Sequence, residues 1–276
     1  MDLFGQISYQ LSNQDIKTIY HPGQATTMLG MLKYPNDFQL AQGSNQSWYK
    51  DTATTAILAD NSGFALRQAY IIQKPTTKGI LLFSAAAALG KVNLNKISLL
   101  IPHVIPSDVE RFSLCKSIKS KVALPVSFRA RQCDTISVAQ STTFSWRLSV
   151  KTSPEKPRYI IVAFQTSKDG DQNANASIFD HCDLKNMHIM LNQERYPVVD
   201  YNLSLSNQQF SRANRDAAVF NEKFYGINEL ITQSNITPSD YKDLYPLFVF
   251  DVSKQSERIK SLTIDVQIKA TLIRLF

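Results

Sequence analysis

Glycine is scarce in this chain, with nine in 276 residues. The glycine-rich loops that cradle phosphates, G-x-x-x-x-G-K-[ST] and G-x-G-x-x-G, do not occur, nor do a G-x-S-x-G elbow and an H-E-x-x-H zinc helix. Those gaps remove the nucleotide-binding, hydrolase and metalloprotease classes that a sequence can announce. Cysteine is equally sparse. Cys115, Cys133 and Cys182 are odd in number and irregular in spacing, so neither a disulfide framework nor a paired zinc knuckle is readable. Buried free thiols in a reducing compartment are the expectation.

Long hydrophobic runs are missing too. The longest, Ile80 to Leu89 ("ILLFSAAAAL"), is too short to cross a bilayer, so no membrane partner is expected. The opening "MDLFGQISYQ" carries an acidic residue and no apolar core, so the protein is expected to be intracellular and not secreted. The sequons at Asn45, Asn175 and Asn202 are then expected to stay unglycosylated. Charge is modest at 19% of residues, and the net of +7 comes from 30 Lys and Arg against 23 Asp and Glu. No basic cluster concentrates it. Arg129 and Arg131 alternate in "SFRARQ", which suits a strand face better than a nucleic-acid arm, so no specific nucleic-acid partner is expected.

What is present is alternation. From Leu262 to Leu272, "LTIDVQIKATL", even positions are apolar and odd ones between them polar. A period of two sends the two sets to opposite faces of a long strand, one against a core and one outward. Further strands are expected at Ile97–Pro102, Val122–Phe128, Thr143–Val150, Tyr159–Thr166, Asn186–Asn192, Val198–Leu205 and Pro246–Val252, most rich in β-branched and aromatic residues.

Two helices are expected among them. Phe210, Ala213, Ala217, Phe220 and Phe224 recur at steps of three and four, with Gly226 as the stop. Thr237, Pro238 and Asp240 in "TPSDYKDL" stand where an N-cap, a first helical proline and an N3 acid belong. Many strands, few helices and long loops predict antiparallel sandwiches. The prolines and charges of "KTSPEKPRY", Lys151 to Tyr159, mark the best domain boundary.

One stretch concentrates chemistry. "IFDHCDLKNMHIM" holds Asp180, His181, Cys182, Asp183 and His188. Zinc needs three or four ligands converging on one point. On an extended strand at about 3.3 Å per residue, His188 lies roughly 20 Å from Cys182. The expectation is a loop held by Asp side-chain turns and a packed Cys182, with no metal. Upstream, Asp169, Asp171, Asn173, Asn175 and Asp180 fall on positions 1, 3, 5, 7 and 12 of a calcium loop. Ala174 stands where that template needs glycine and Asp180 where it needs glutamate, so a polar loop between strands is expected instead. No catalytic, cofactor-binding or metal residue is assigned, and an enzyme is not expected.

Several runs carry a resemblance. They include "GFALRQAYIIQKPTTKG", "GKVNLNKISLLIPHVIPSDVERFS", "LPVSFRARQCDTISV", "SWRLSVKTSPEKPRYIIVAFQTSKDGD", "FDHCDLKNMHIMLNQERYPVVDYNLSLSNQQFSR", "FYGINELITQSNITPSDYKDLYPLFVFDVSKQSE" and "DVQIKAT". From about Met28 to Thr271 the chain resembles double jelly-roll-like proteins, relatives of the major capsid proteins of Polinton (Maverick) and adintovirus-type DNA elements.

The resemblance implies an all-β fold of tandem jelly-roll sandwiches with two short inserted helices. It implies a partial N-terminal roll over 1–155 and a C-terminal roll over 156–276. It further implies a homotrimer or higher assembly, a structural role beside other capsid-type proteins, and location in a virion or capsid where assembly occurs. Three departures are expected to leave strand edges open. The first roll's N-terminal strands are missing or replaced by "MDLFGQISYQLSNQDIKTIYHPG". The chain jumps from "GILLFS" to "AAAALGKVN", and it stops at "LIRLF". The expected function is a capsid-protein-like self-associating subunit in a domesticated or degenerate copy. A host-adopted sandwich that binds a glycan or protein is the alternative.

Overall fold

The computed structural model describes residues 4–55, 57, 59–73, 98–123, 128–148, 157–168, 171, 174–226, 233–255 and 264–274. The chain forms two compact units, one from Met1–Ala87 with Gln132–Phe276 and a small one from Ala88–Arg131.

Among the described residues the large unit holds three antiparallel sheets. A four-stranded sheet runs in the order β3 (Thr143–Leu148), β8 (Val266–Leu272), β5 (Leu184–Leu191), β6 (Glu194–Tyr196). A two-stranded sheet pairs β4 (Tyr159–Val162) with β7 (Phe248–Asp251). An N-terminal hairpin pairs β1 (Gln6–Leu11) with β2 (Gln14–Tyr20).

The alternating segment behaves as its pattern demands. Ile264, Val266, Ile268, Ala270 and Leu272 are buried, while Asp265, Gln267, Lys269 and Thr271 are only partly covered. Leu262 and Thr263 lie outside the described residues. On β5, Leu184, Met187, Ile189 and Leu191 have no exposed surface at all. The pairing of Ile189 with Ile268 and of Met187 with Ala270 stacks two apolar faces side by side. On the opposite face Arg147 makes a two-pronged contact with Asp265, at 2.7 and 2.6 Å.

Helices close this core. The expected 210–226 helix is two: α5 (Ser211–Ala218) and α6 (Phe220–Tyr225), broken at Val219. Ala213, Ala217 and Phe220 are buried, and Gly226 ends α6 at φ 70°, a left-handed conformation that glycine adopts without strain. Phe210 stacks on Tyr241 with ring centroids 5.7 Å apart. Tyr241 belongs to α7 (Pro238–Asp243), which begins as read from sequence. The Thr237 hydroxyl accepts from the Asp240 N–H, and the Asp240 carboxylate accepts from the Thr237 N–H.

Helices exceed the two expected. Among the described residues α1 (Pro22–Lys33), α2 (Gln42–Asn45), α3 (Ser62–Gln73) and α4 (Asp108–Lys119) add four more, beyond the divided 210–226 segment. Within the segment expected to replace missing strands, 1–23, the described residues form the β1–β2 hairpin and the start of α1.

Three strand expectations fail. Residues 98–102 form no strand, and neither do the described members of 122–128. Residues 198–205 make only an isolated bridge, Ser204 to Gln209. In each, apolar side chains such as Leu100, Val122 and Val198 stay exposed, because strand propensity without a partner ladder does not make a strand. The small unit holds α4, with Ser107 as N-cap, acids in its first turn and lysines in its last, matching the helix dipole.

The boundary expected at 151–159 lies, up to residue 156, outside the described residues. So does the 80–92 junction. β3 before the boundary and β8 after it are neighbours in one sheet. Among the described residues no helix is long and apolar enough to cross a membrane.

Candidate functional site

The Asp- and His-rich stretch folds as a turn entering β5. Cys182 and Asp183 both have positive φ, 49° and 44°, so the chain reverses there instead of extending. Asp180 and His181 find local partners. The Asp180 carboxylate accepts from Lys168 Nζ at 2.7 Å and from the Thr166 N–H at 2.8 Å. His181 Nδ1 accepts from the Asp183 N–H at 2.9 Å. Burial pushes the Cys182 thiol up to about 12, although the nearby Thr166 hydroxyl pulls the other way. His188 sits on β5 opposite Lys269, and partial burial with Arg195 and Lys269 nearby lowers its pKa. Among the described residues no three His, Cys, Asp or Glu side chains converge as metal ligands.

The calcium-like run is divided as well. Asp169 and Asn173 lie outside the described residues, while Asn175 turns its amide toward Asp51 and Asp180 is engaged by Lys168.

That contact with Asp51 opens onto a buried polar cluster that the sequence reading missed. Asp51 is 3% exposed. One carboxylate oxygen accepts from Ser177 Oγ at 2.6 Å and Asn175 Nδ2 at 3.0 Å, and the other is paired with Arg67. Its carbonyl accepts from the Tyr245 hydroxyl at 2.9 Å. The neighbouring Lys50 ammonium donates to the Asn235 carbonyl and to Asp240, both at 2.7 Å. Burial alone would raise the Asp240 carboxyl, but hydrogen bonds from Lys50 and Thr237 outweigh it and hold the group below its ordinary value. Eight residues far apart in sequence meet here, joined by hydrogen bonds to one another. The cluster therefore ties the 49–67 segment to residues 175–177 and 235–245, and its charged groups are engaged in holding the fold.

A second feature has open space. A cavity of about 170 Å³ is lined by Tyr159, Tyr196, Tyr201, Asp216, Phe220 and Phe250, among others. The Tyr201 hydroxyl donates to Asp216 at 2.8 Å, and Arg212 lies over the Tyr201 ring at 4.9 Å. Burial, then the Asp216 charge, raises Tyr201 far above a free phenol, so it stays a neutral donor. The site is aromatic, with a carboxylate fixed by a phenol at its wall. No local motif marks it, because its members come from β4, β6, β7, α5, α6 and the loop after β6.

The double jelly roll-like domain model matches residues 65–273, about three quarters of the chain. No curated protein and no solved structure matches.

Proposed function

Because the chain belongs to the double jelly roll-like family, we propose that it is a structural subunit that associates with copies of itself. The family match over 65–273 carries this reading. Proteins of capsid type are compatible with that domain. The finer proposal is descent from a viral or transposon major capsid protein of the Polinton (Maverick) or adintovirus kind, in a domesticated or degenerate copy. The partners would be further copies, as a homotrimer or larger assembly, and other capsid-type proteins, with no specific nucleic acid and no membrane involved. The location would be intracellular, or in a shell where one forms.

No catalytic role is proposed. The sequence carries no nucleophile-elbow or phosphate-loop motif, and among the described residues the charged groups of the buried Asp51 cluster are engaged in holding the fold. The stabilising chemistry is the burial of two alternating apolar faces, β5 and β8, under helices.

Electron microscopy of the purified full chain tests the proposal. Trimers or closed particles support it. Monodisperse single copies at all concentrations overturn it.

A second reading, a sandwich that binds a glycan or protein, is favoured by the tyrosine-lined cavity beside Asp216. Saturable binding of a neutral oligosaccharide, lost on Tyr201→Ala, would favour that reading over the first.

A further inference from the structure

The N-terminal hairpin has no buried residue in either strand. Ile7, Tyr9 and Leu11, alternate residues on one face of β1, are 49%, 53% and 59% exposed. Its base is tied to the body by the His21 N–H donating to the Gly5 carbonyl at 3.0 Å. A lone two-stranded hairpin is marginal in water, and three or more strands with a covered face are the stable form.

The two outer edges of this hairpin differ. The β2 edge carries Asp15 and Lys17 and an irregularity in register opposite Tyr9 and Gln10, devices that keep other strands away. The β1 edge, Gln-Ile-Ser-Tyr-Gln-Leu, has no charge, no proline and no glycine. It is an undefended pairing edge of the kind that recruits another strand. Among the described residues β1 pairs with β2 alone.

The register says which strand fits. The two-residue turn at Ser12 and Asn13, both at positive φ, closes on the Leu11–Gln14 pair. Alternation along β1 then turns Leu11, Tyr9 and Ile7 toward β2, and turns the N–H and C=O of Gln10, Ser8 and Gln6 outward. A second β1 laid antiparallel about Ser8 puts Ser8 opposite Ser8, Ile7 opposite Tyr9 and Gln6 opposite Gln10. Apolar meets apolar on one face and polar meets polar on the other, with every outward backbone group paired. The segment is complementary to itself.

We propose that β1 is a two-fold contact between copies of this chain, joining two hairpins into a four-stranded intermolecular sheet centred on Ser8. The contact rests on the self-associating reading above and names one surface for it. The defended β2 edges then close the sheet on both sides, so the contact ends at two copies.

The test uses full-length protein with the exposed Cys115 changed to serine, leaving the buried Cys133 and half-buried Cys182 in place. Ser8→Cys brings two thiols together across the two-fold axis, whereas Gln10→Cys faces a glutamine. Under mild oxidation the Ser8→Cys protein is expected to give on the order of tenfold more covalent dimer than Gln10→Cys, as pre-paired thiols at high effective concentration require. Equal cross-linking of the two overturns the contact, and so does growth into thioflavin-binding fibrils.

Ser8→Pro supplies a second readout, because it removes only an outward N–H and leaves the β1–β2 ladder intact. Its sedimentation coefficient is expected to fall toward that of a smaller species with an unchanged Tm. Trimers or shells that survive Ser8→Pro, together with no Ser8→Cys dimer, overturn the contact and leave the subunit reading standing. A Ser8→Cys dimer with no trimer or shell upholds the contact and counts against that reading.

Discussion

Asp51 shows how one residue can hold distant parts of a chain together. Its carboxylate is buried and accepts from Arg67, Asn175 and Ser177. Asp51→Asn leaves the Arg67 guanidinium facing a neutral amide and reverses one hydrogen bond. Removing one partner of a buried ion pair costs roughly 3–5 kcal/mol. In a unit of this size that lowers Tm by about 10 °C, which calorimetry would measure. Two of the three cysteines differ in how far the fold covers them. Cys182 is half-buried with its thiol pushed up to about 12, and Cys115 is exposed. Iodoacetamide at pH 8 is expected to alkylate Cys115 well before Cys182, as peptide mass mapping over time would show. Equal rates would mean that the 180–183 turn opens readily.

The same groups set the alkaline limit. Cys182 keeps its proton in the folded chain above its ordinary value of 9.0, and half-buried Tyr201 with buried Tyr241 and Tyr245 keep theirs above 10.0. The unfolded chain loses those protons first. Stability is therefore full below about pH 9 and falls as pH rises toward 12 and beyond. Denaturant midpoints measured from pH 8 to 11 are expected to decline, and a flat profile would contradict these burials.

At the scale of the element, the best-read parts were those whose signal is local. Over Val266–Leu272 the alternation became β8, because a core on one side and water on the other enforce a period of two. The Thr237 capping box formed because its two hydrogen bonds need only four residues. Thr237→Ala is expected to cost about 1 kcal/mol. Asp240→Ala is expected to cost more, since Asp240 also accepts from Lys50. Urea unfolding of the two variants checks the order.

Elements whose identity depends on partners were misread. Val198 and Val199 look like strand residues, yet no neighbouring ladder takes them up. The Asp108–Lys119 segment was missed as a helix because its apolar residues form no buried stripe, although its cap and end charges were legible. The Asp51 cluster and the tyrosine cavity were invisible for a further reason. Their members are spread from residue 50 to residue 251, and no spacing links them.

At the scale of the whole molecule, the family match covers 65–273, so the β1–β2 hairpin and α1 lie outside it. The β3-β8-β5-β6 sheet and the β4–β7 pair carry the buried apolar faces, and helices from both ends of the chain pack on them. Surfaces that a partner would cover remain: the β1 edge of the hairpin, and the exposed apolar residues of the small unit, among them Leu100, Ile105 and Phe112. Exposed apolar surface of this kind is what a contact with a partner or a second copy would cover. That observation supports the subunit reading at the level where composition and motifs were silent.

Sedimentation velocity of the full chain over a hundredfold range of concentration tests the central claim most directly. A self-associating subunit gives a weight-average coefficient that climbs with concentration toward a trimer or larger particle. A constant coefficient matching one 31.1 kDa chain across the whole range would contradict it.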